Sequence, residues 1–317
     1  MNSLSENKYG YVVSAEMKKV RQVQLVLLKK LLEVCEKYNL KIWADGGTLL
    51  GTIREHGYIP WDDDIDMGML REDYDKLTKI AQKEFTHPYF FQDGYTEKNY
   101  PAFHAKVRMD GTAGMYMNQQ WINVHQGIFI DINPYDAVPD EELDRIEQEK
   151  SRDQFLLKRI LLINSFDMLH PIRSIFRLAT LMKYRKKLWI IYGKFEDVFR
   201  KYRIEDCKNV GNLSFKYDTK RLVWDKHCFD KTIYMQFEDI MMPIPVGYQE
   251  ILTKQYGDYM IPVQAPSEHF FWKLDAERSY KEYLPELKRL CRKEKRKSYN
   301  RRIKKAIGYL STFEKNV

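Results

Sequence analysis

The stretch GGTLLGTIREHGYIPWDDDIDMGM, residues 46–69, carries the densest pattern in this 317-residue sequence. Its second half places four aspartates within residues 62–66, and carboxylates this close repel one another. Its first half opens with a double glycine, which leaves the backbone free for tight turns and close contacts. Because a bound cation would neutralise the crowded acids, the pattern predicts a site for metal ions.

The segment DIDMGML alternates acidic and apolar residues, which is typical of a half-buried strand. Asp64 and Asp66 then project from one face of the strand, whereas the intervening apolar residues project from the other. Two carboxylates on one strand face are spaced to share hard divalent cations such as Mg²⁺, which prefer oxygen ligands. A solvated acidic loop is the alternative interpretation, and it is stronger for Asp62 and Asp63 than for this pair.

Two further features complete the predicted site. Gly46 and Gly47 precede a segment with helical spacing, and backbone N–H groups at a helix start can bind a phosphate. Thr48 is a candidate cap and a candidate substrate contact at the same helix start. Asp131, in the strand-like segment GIFIDINPYDAV, supplies a third acid for a two-metal site that acts at phosphorus.

Weaker candidates for substrate binding lie outside the acidic segment. Arg54 follows the glycine helix, and Lys106 and Arg108 alternate on the predicted strand FHAKVRM, so all three are candidate phosphate contacts. A surface arginine and a solvated strand face are the alternative interpretations. His125 precedes the strand that carries the third acid, and His269 lies in a later block. A structural role is the alternative for both histidines.

Three aromatic residues surround the acidic segment. Trp43, Tyr58 and Trp61 would together offer a wall that binds a quaternary ammonium by cation–π attraction. Core packing is the alternative interpretation, and it is the stronger one for Trp43. The aromatic content of 14% does not separate the two interpretations.

The composition excludes several classes of protein. Hydrophobic residues make up 44% and charged residues 31% of a chain long enough to bury a sizeable core, so a globular protein is expected. The first residues lack the layout of a signal peptide, and charges interrupt the apolar stretches before they reach membrane-spanning length. The four cysteines are widely spaced, without zinc-type spacing, which favours reduced thiols in the cytoplasm.

The net charge of +8 is unevenly distributed along the chain. Residues 170–203 contain ten Lys or Arg and two Asp or Glu. Residues 281–317 contain thirteen Lys or Arg and four Asp or Glu. The rest of the chain has a net charge of −9. A basic amphipathic segment is typical of a helix on an anionic membrane surface, although an ordinary packed helix is the alternative. The basic tail would also suit nucleic acid, but the acidic body argues against a continuous nucleic-acid track.

The quoted stretch resembles the LicD family, including its G-T-L-L-G and I-P-W-D-D-D-I-D strings. HQGIFIDINPYD resembles the second block of that family, and MPIPVGYQEILTKQYGDYM resembles its third. The resemblance implies an α+β, nucleotidyltransferase-like fold with a small mixed sheet flanked by helices. We accordingly expect a catalytic core over residues 1–140, a basic, amphipathic helical insertion over residues 141–225, and the rest of the LicD-type domain with a basic helical tail over residues 226–317.

By this resemblance, Asp64 and Asp66 match the metal-binding D-x-D pair, Asp62 matches a further ligand, and Asp131 matches the third carboxylate. The two glycines match the turn that binds phosphate. The implied reaction uses Mg²⁺ or Mn²⁺, with two ions expected. It moves phosphocholine from CDP-choline to a hydroxyl of a cell-surface glycan, such as a teichoic acid, capsule or lipopolysaccharide precursor, and releases CMP. Transfer of glycerol phosphate or ribitol phosphate from a CDP-polyol is the main alternative.

The same resemblance sets the expected partners. These are a CDP-alcohol donor, a lipid-linked or polymeric glycan acceptor and an anionic membrane, which together place the protein at the inner face of the plasma membrane. An RNA-directed nucleotidyltransferase is a less favoured alternative, and no nucleic-acid partner is expected. A non-catalytic membrane scaffold conflicts with the intact acidic pattern.

Overall fold

The computed structural model describes residues 9–116, 123–163, 188–214, 221–264 and 271–290. Within these ranges the chain folds into helices and mostly short strands. The helices are α1 (Ala15–Lys37), α2 (Gly46–Arg54), α3 (Arg71–Glu84), α4 (Glu142–Ile163), α5 (Leu188–Arg200) and α6 (Tyr248–Tyr256). The strands are β1 (Trp43–Ala44), β2 (Asp66–Leu70), β3 (Tyr89–Gln92), β4 (Ala105–Met109), β5 (Ala113–Tyr116), β6 (Phe129–Val138), β7 (Asn209–Asn212), β8 (Val223–Asp225), β9 (Thr232–Phe237), β10 (Ile240–Pro245) and β11 (Phe271–Asp275).

Seven strands form one mixed sheet with the long strand β6 near its centre. Strand β6 pairs in parallel with β2 and antiparallel with β4, while β1 and β3 extend the sheet on its two sides. The C-terminal half of β6 pairs with β7, which in turn pairs with β8. This mixed sheet flanked by helices confirms the predicted α+β class.

One face of the sheet is apolar and packs against helix α1. Ser14 caps this helix as predicted, since its hydroxyl accepts a hydrogen bond from the Met17 N–H at 3.1 Å. Buried residues of the helix and of strands β2, β4 and β6 share one core cluster, which includes Leu27, Leu28, Leu31, Met67, Val107, Ile130 and Ile132. Because side chains alternate along each strand, the opposite face of the sheet carries the polar residues.

The parallel register of β2 and β6 brings two predicted acids together. Asp66 lies directly opposite Asp131, and the pairing continues as far as Leu70 and Tyr135. The Asp131 N–H also donates a hydrogen bond to the Ile65 carbonyl oxygen at 2.8 Å. Lateral neighbours in a sheet project to the same face, so two acids that are distant in sequence become adjacent.

The segment predicted as a helical insertion, residues 141–225, also contains strands. Helices α4 and α5 lie in it, but β7 and β8 join the main sheet. The prediction of a purely helical segment is therefore wrong, because NVGN and VWD are too short to show a clear alternation. Residues 164–187 and 291–317, which make up most of the two basic segments, lie outside the described residues.

Helix α5, which covers part of the first basic segment, packs on the body of the protein. Tyr192, Phe195 and Phe199 are buried in one cluster with Phe103. The rings of Phe195 and Phe103 are stacked with their centroids 3.7 Å apart. Over these residues the apolar face is thus used for packing, which is the alternative interpretation given for this segment.

The composition predicts reduced cysteines and no membrane-spanning helix, and the described residues bear on both points. Cys35, Cys207 and Cys228 are buried free thiols. Among the helices of the described ranges, none combines the length and the apolar character that crossing a membrane requires.

Two strand pairs lie outside the main sheet. The segment predicted to be strand-like, DKTIYMQFEDIMMPIPV, forms the hairpin of β9 and β10. Strands β5 and β11 pair antiparallel, with Phe271 opposite Tyr116. The sequence did not predict this second pair, because its two strands are short and far apart along the chain.

A buried ion network fixes β6 against helices α3 and α5. Arg71 donates hydrogen bonds to both carboxylate oxygens of Asp136, at 2.6 and 2.9 Å, and to Glu196 at 3.2 Å. Arg200 adds contacts to Glu196 at 3.0 Å and to Asp75 at 2.8 Å. Arg71 and Asp136 directly follow the last paired residues of β2 and β6, so this ion pair supports the register of the two strands.

We predict that Asp136→Leu lowers the free energy of unfolding by about 3–5 kcal/mol, because it leaves the buried Arg71 without its bidentate partner. Urea unfolding followed by circular dichroism measures the change. The matched control is Lys76→Met, which breaks the exposed pair with Asp73 and should cost less than about 1 kcal/mol. Equal losses in the two variants would contradict a special role for the buried network.

Candidate metal centre and active site

A row of polar side chains crosses the polar face of the sheet. Asp66 lies opposite Asp131, Asp131 lies opposite Lys106, and Lys106 lies opposite Gln92. Arg108 is on the same face, two residues further along β4. The predicted acids and the predicted basic strand are therefore neighbours.

Asp64 joins this row from the loop that precedes β2. One carboxylate oxygen from each of Asp64, Asp66 and Asp131 lies within 4.8 Å of the others. A second group, formed by Asp62, Asp63 and Asp64, meets the same distance and shares Asp64 with the first. The two groups offer oxygen ligands to divalent cations at adjacent positions.

The acids of this cluster are buried and repel one another. Asp64 and Asp131 are only 5% and 4% exposed. Burial, followed by the negative charges of Asp66 and Asp62, raises the pKa of Asp64 well above its usual range. Lys106 donates a hydrogen bond to Asp131, while burial lowers the pKa of this lysine. Several carboxylate oxygens this close together are the kind of donor set that a divalent cation prefers.

Helix α2 begins at Gly46, and its N-cap is Asp45 rather than Thr48. The Asp45 carboxylate accepts hydrogen bonds from the Gly46 N–H at 2.8 Å and from the Asn133 side-chain amide at 3.1 Å. Thr48 lies in the first turn, and its hydroxyl accepts a hydrogen bond from the Asp66 N–H at 2.9 Å. The predicted cap is wrong because aspartate is an equally good capping residue and lies directly before the turn.

The double glycine is required by close packing around the acids. Gly46 has a φ of +50°, in the left-handed region that favours glycine. A Cβ on Gly47 would lie 2.7 Å from a carboxylate oxygen of Asp62, which is too close for a carbon–oxygen contact. Without side chains at these positions, the start of α2 lies against the acids. The predicted role of the two glycines in binding a phosphate stays a prediction.

Asn133 and His104 lie beside the acids and were not predicted as part of the site. The Asn133 amide donates to Asp45 at 3.1 Å and lies 3.5 Å from an oxygen of Asp66, so it links the helix cap to the acidic row. His104 Nε2 lies 3.6 Å from an Asp131 oxygen. The sequence could have indicated Asn133 as a site residue, because it lies two residues after Asp131 and therefore on the same strand face.

Helix α6 brings Tyr256 to the same place. The Tyr256 hydroxyl lies 3.8 Å from the position that a Cβ on Gly46 would take. Burial, followed by the charges of Asp45 and Asp66, raises the pKa of this hydroxyl. Tyr256 belongs to the segment MPIPVGYQEILTKQYGDYM, so this segment contributes a tyrosine beside the glycine turn. Its hydroxyl stays protonated at neutral pH.

Two predicted substrate contacts remain, Arg54 and His269. The Arg54 guanidinium donates to the Glu55 carboxylate at 2.7 Å and to the Tyr259 carbonyl oxygen at 3.0 Å. Its position at the end of the nine-residue helix α2 lies about 12 Å along the axis from Gly46. Arg54 thus lies at the far end of the helix from the glycine turn, and its predicted contact with a donor phosphate stays a prediction. His269 lies outside the described residues, so its role stays a prediction.

Arg108 and His125 belong to a buried network next to the acidic row. Arg108 donates to Gln92 and to the Gly127 carbonyl oxygen. The Gly127 N–H donates to His125 Nδ1 at 3.1 Å, so the neutral ring carries its proton on Nε2, which lies 2.8 Å from an Asp110 oxygen. Burial, followed by the charge of Arg108, lowers the pKa of His125 to about 4. These contacts favour the structural interpretation of this histidine.

The predicted aromatic wall is not formed by Trp43, Tyr58 and Trp61. Trp43 is fully buried with its ring centroid 5.2 Å from that of Phe229, and Tyr58 packs in the same core 5.1 Å from Phe237. Trp61 is partly buried against that core. Core packing, the alternative interpretation, is therefore correct for Trp43 and Tyr58.

Comparison with known proteins agrees with this arrangement. A family model described as LicD/FKTN/FKRP, nucleotidyltransferase domain, matches residues 39–161, which contain the whole acidic cluster. The lipopolysaccharide cholinephosphotransferase LicD of Haemophilus influenzae is 30% identical to this chain over 263 residues, which cover 77% of this chain and 93% of that protein. The chain belongs to the LicD family.

Two shorter similarities involve rickettsial proteins. The uncharacterized protein RP689 of Rickettsia prowazekii is 44% identical over 70 residues, which cover 22% of this chain and 24% of that protein. The uncharacterized protein RT0683 of Rickettsia typhi is 41% identical over 73 residues, which cover 23% of this chain and 22% of that protein. The chain thus matches about a quarter of the length of each rickettsial relative.

The pKa of His125 predicts how stability depends on pH. The folded pKa of about 4 is below the ordinary value of 6.5, so the unfolded chain takes up the proton first as the pH falls. The free energy of unfolding should therefore fall by about 2 kcal/mol from pH 7 to pH 5 on account of this residue. In His125→Gln, urea unfolding should show a loss of unfolding free energy between pH 7 and pH 5 that is smaller by about 2 kcal/mol. Identical pH dependence in both proteins would contradict the buried, neutral histidine.

Proposed function

We propose that this protein is a metal-dependent transferase that moves phosphocholine from CDP-choline to a hydroxyl of a lipopolysaccharide-type glycan and releases CMP. The observation that carries the proposal is the meeting of Asp64, Asp66 and Asp131 at one point, next to the glycine turn that begins α2. The substrate class is supported by the printed name of the Haemophilus relative, which is similar over most of both chains.

The carboxylates of Asp64, Asp66 and Asp131 would hold the catalytic Mg²⁺ or Mn²⁺, and Asp62 with Asp63 would complete a second position. When bound, two such ions would polarise the phosphate oxygens and stabilise both the attacking and the leaving oxygen of an in-line displacement. The pair of overlapping acid groups, which share Asp64, supports a site for two ions rather than one.

The protein side chains have separate tasks in this proposal. Lys106 holds the Asp131 carboxylate through a hydrogen bond, and Thr48 fixes the start of β2 through the Asp66 N–H. Backbone N–H groups in the first turn of α2, beyond the one that donates to Asp45, would bind the donor phosphates. The acceptor oxygen would bond to the distal phosphorus while the bond from that phosphorus to the bridging oxygen breaks. CMP would leave with the bridging oxygen, and a cluster carboxylate would take up the proton of the acceptor hydroxyl.

The proposed setting is the inner face of the plasma membrane, where the acceptor glycan is carried on a lipid. The uneven charge of the sequence supports this setting, since its basic residues are concentrated in residues 170–203 and 281–317. Attraction between these segments and anionic lipids would keep the protein near its acceptor without a membrane-spanning helix.

A release assay tests the proposal. Purified full-length protein with Mg²⁺ is incubated separately with CDP-choline, CDP-glycerol and CDP-ribitol, with and without lipopolysaccharide, and CMP formation is followed. We expect CDP-choline to give the highest rate, and we expect Asp64→Asn and Asp131→Asn to lower that rate roughly 100-fold or more. Folding of each variant is checked by circular dichroism.

The matched control is Asp239→Asn, which removes an exposed aspartate paired with Lys29 on the surface and should leave the rate unchanged. Full activity of Asp64→Asn would contradict the metal site. A clear preference for CDP-glycerol or CDP-ribitol would replace phosphocholine by a polyol phosphate as the transferred group.

A further inference from the structure

A small open space lies over Gly46 at the edge of the acidic cluster. If Gly46 carried a Cβ, its nearest described neighbours outside α2 and its cap would be the Asp66 Oδ2 atom and the Tyr256 hydroxyl oxygen, each 3.8 Å away. The equivalent position on Gly47 is already filled, because an Asp62 oxygen lies 2.7 Å from it. The space over Gly46 thus lies between a carboxylate and a hydroxyl, with room for an oxygen atom of a ligand.

The Tyr256 hydroxyl has no hydrogen-bond partner among the residues that the structure describes. Burial, followed by the negative charges of Asp45 and Asp66, raises its pKa, so the hydroxyl keeps its proton at neutral pH. The side chain is 40% exposed, so a ligand can reach it from solvent. A phenolic O–H in this state is a hydrogen-bond donor that a ligand can use.

Contacts between α6 and α2 fix the position of this hydroxyl. Leu252 of α6 lies in the same core cluster as Leu49 of α2. At the far end of α2, Arg54 donates a hydrogen bond to the Tyr259 carbonyl oxygen at 3.0 Å, which joins the segment after α6 to the same helix. Because Tyr256 lies between these two attachments, its hydroxyl is held beside the glycine turn before any ligand binds.

The groups around this space indicate which part of a donor would occupy it. A phenolic O–H donates its strongest hydrogen bonds to anionic oxygens, and phosphate oxygens are of this kind. A quaternary ammonium has no lone pair that could accept such a bond. Mg²⁺ sites built on carboxylates are commonly completed by substrate phosphates. A diphosphate is therefore the group that best suits the space between Asp66 and Tyr256.

We propose that the Tyr256 hydroxyl donates a hydrogen bond to an oxygen of the donor diphosphate, which lies over Gly46 between this hydroxyl and the Asp66 carboxylate. This assignment rests on the proposed function, because it takes a diphosphate donor at the acidic cluster. It gives α6, which lies far from the acids in sequence, a direct contact with the substrate.

Binding of inorganic pyrophosphate to the full-length protein with Mn²⁺, measured by isothermal titration calorimetry, tests this contact. Tyr256→Phe removes only the hydroxyl and should weaken pyrophosphate binding roughly tenfold or more, as expected for a lost hydrogen bond to a charged group. The matched control Tyr234→Phe makes the same change at an exposed position of the β9–β10 hairpin and should leave the affinity unchanged. Unchanged pyrophosphate affinity in Tyr256→Phe would overturn the proposal.

The affinity for Mn²⁺ alone separates a substrate contact from a group that supports the metal ligands. It should be the same in wild type and in Tyr256→Phe, because the hydroxyl forms no hydrogen bond with the described acids. A loss of Mn²⁺ affinity as large as the loss of pyrophosphate affinity would overturn the proposal and assign the hydroxyl to the support of the acids.

A crystal structure of the wild-type protein with Mn²⁺ and pyrophosphate keeps the test valid if Tyr256→Phe does not fold. It should place one pyrophosphate oxygen within about 3 Å of the Tyr256 hydroxyl. Pyrophosphate bound out of hydrogen-bond reach of this hydroxyl would overturn the proposal.

Release of CMP from CDP-choline distinguishes a failure of this contact from a failure of the proposed function. The kcat/KM of Tyr256→Phe should fall roughly tenfold or more, in step with the pyrophosphate affinity. If wild type releases CMP and the variant is equally active, the contact alone fails. If wild type neither binds pyrophosphate with Mn²⁺ nor releases CMP from any CDP-alcohol, the proposed function fails with it.

Discussion

The parallel pairing of β2 with β6, in the register that puts Asp66 opposite Asp131, is the constraint on which the rest of the site depends. Side chains alternate along a strand, so a slip of one residue would turn Asp131 into the apolar core and bring Ile130 or Ile132 to the polar face. Packing of the core therefore maintains this register, because Ile130 and Ile132 are buried in the cluster that includes α1. The same register of β2 and β6 both packs the apolar face of the sheet and brings the acids together.

Holding several carboxylates together in a buried position opposes folding, and the structure offsets this cost locally. Lys106 donates to the Asp131 carboxylate from the neighbouring strand, and the Asn133 amide donates to the Asp45 carboxylate. Further along the same strands, the Arg71–Asp136 ion pair joins their ends. Asp64, Asp66 and Asp131 meet at one point, and their carboxylate oxygens are the ligands that a divalent cation prefers.

Local sequence patterns predicted the parts of this structure that depend on local physics. The alternation of DIDMGML predicted strand β2, although the strand begins at Asp66 and Asp64 lies in the loop before it. The helical spacing after Ser14 predicted α1 with its cap. Pairings between distant segments were missed: β5 with β11, and β7 with β6, involve short strands whose partners no local pattern identifies. The error at the start of α2 has a different cause, competition between similar residues: Asp45 caps this helix in place of Thr48.

The central claim, that the strand register builds a divalent metal centre, is tested most directly by crystallography with Mn²⁺. Anomalous diffraction from crystals of the full-length protein grown with Mn²⁺ locates the ion without reference to activity. The account predicts an anomalous peak coordinated by oxygens of Asp64, Asp66 and Asp131. Crystals that bind Mn²⁺ elsewhere, or show no peak between these three carboxylates, would contradict it.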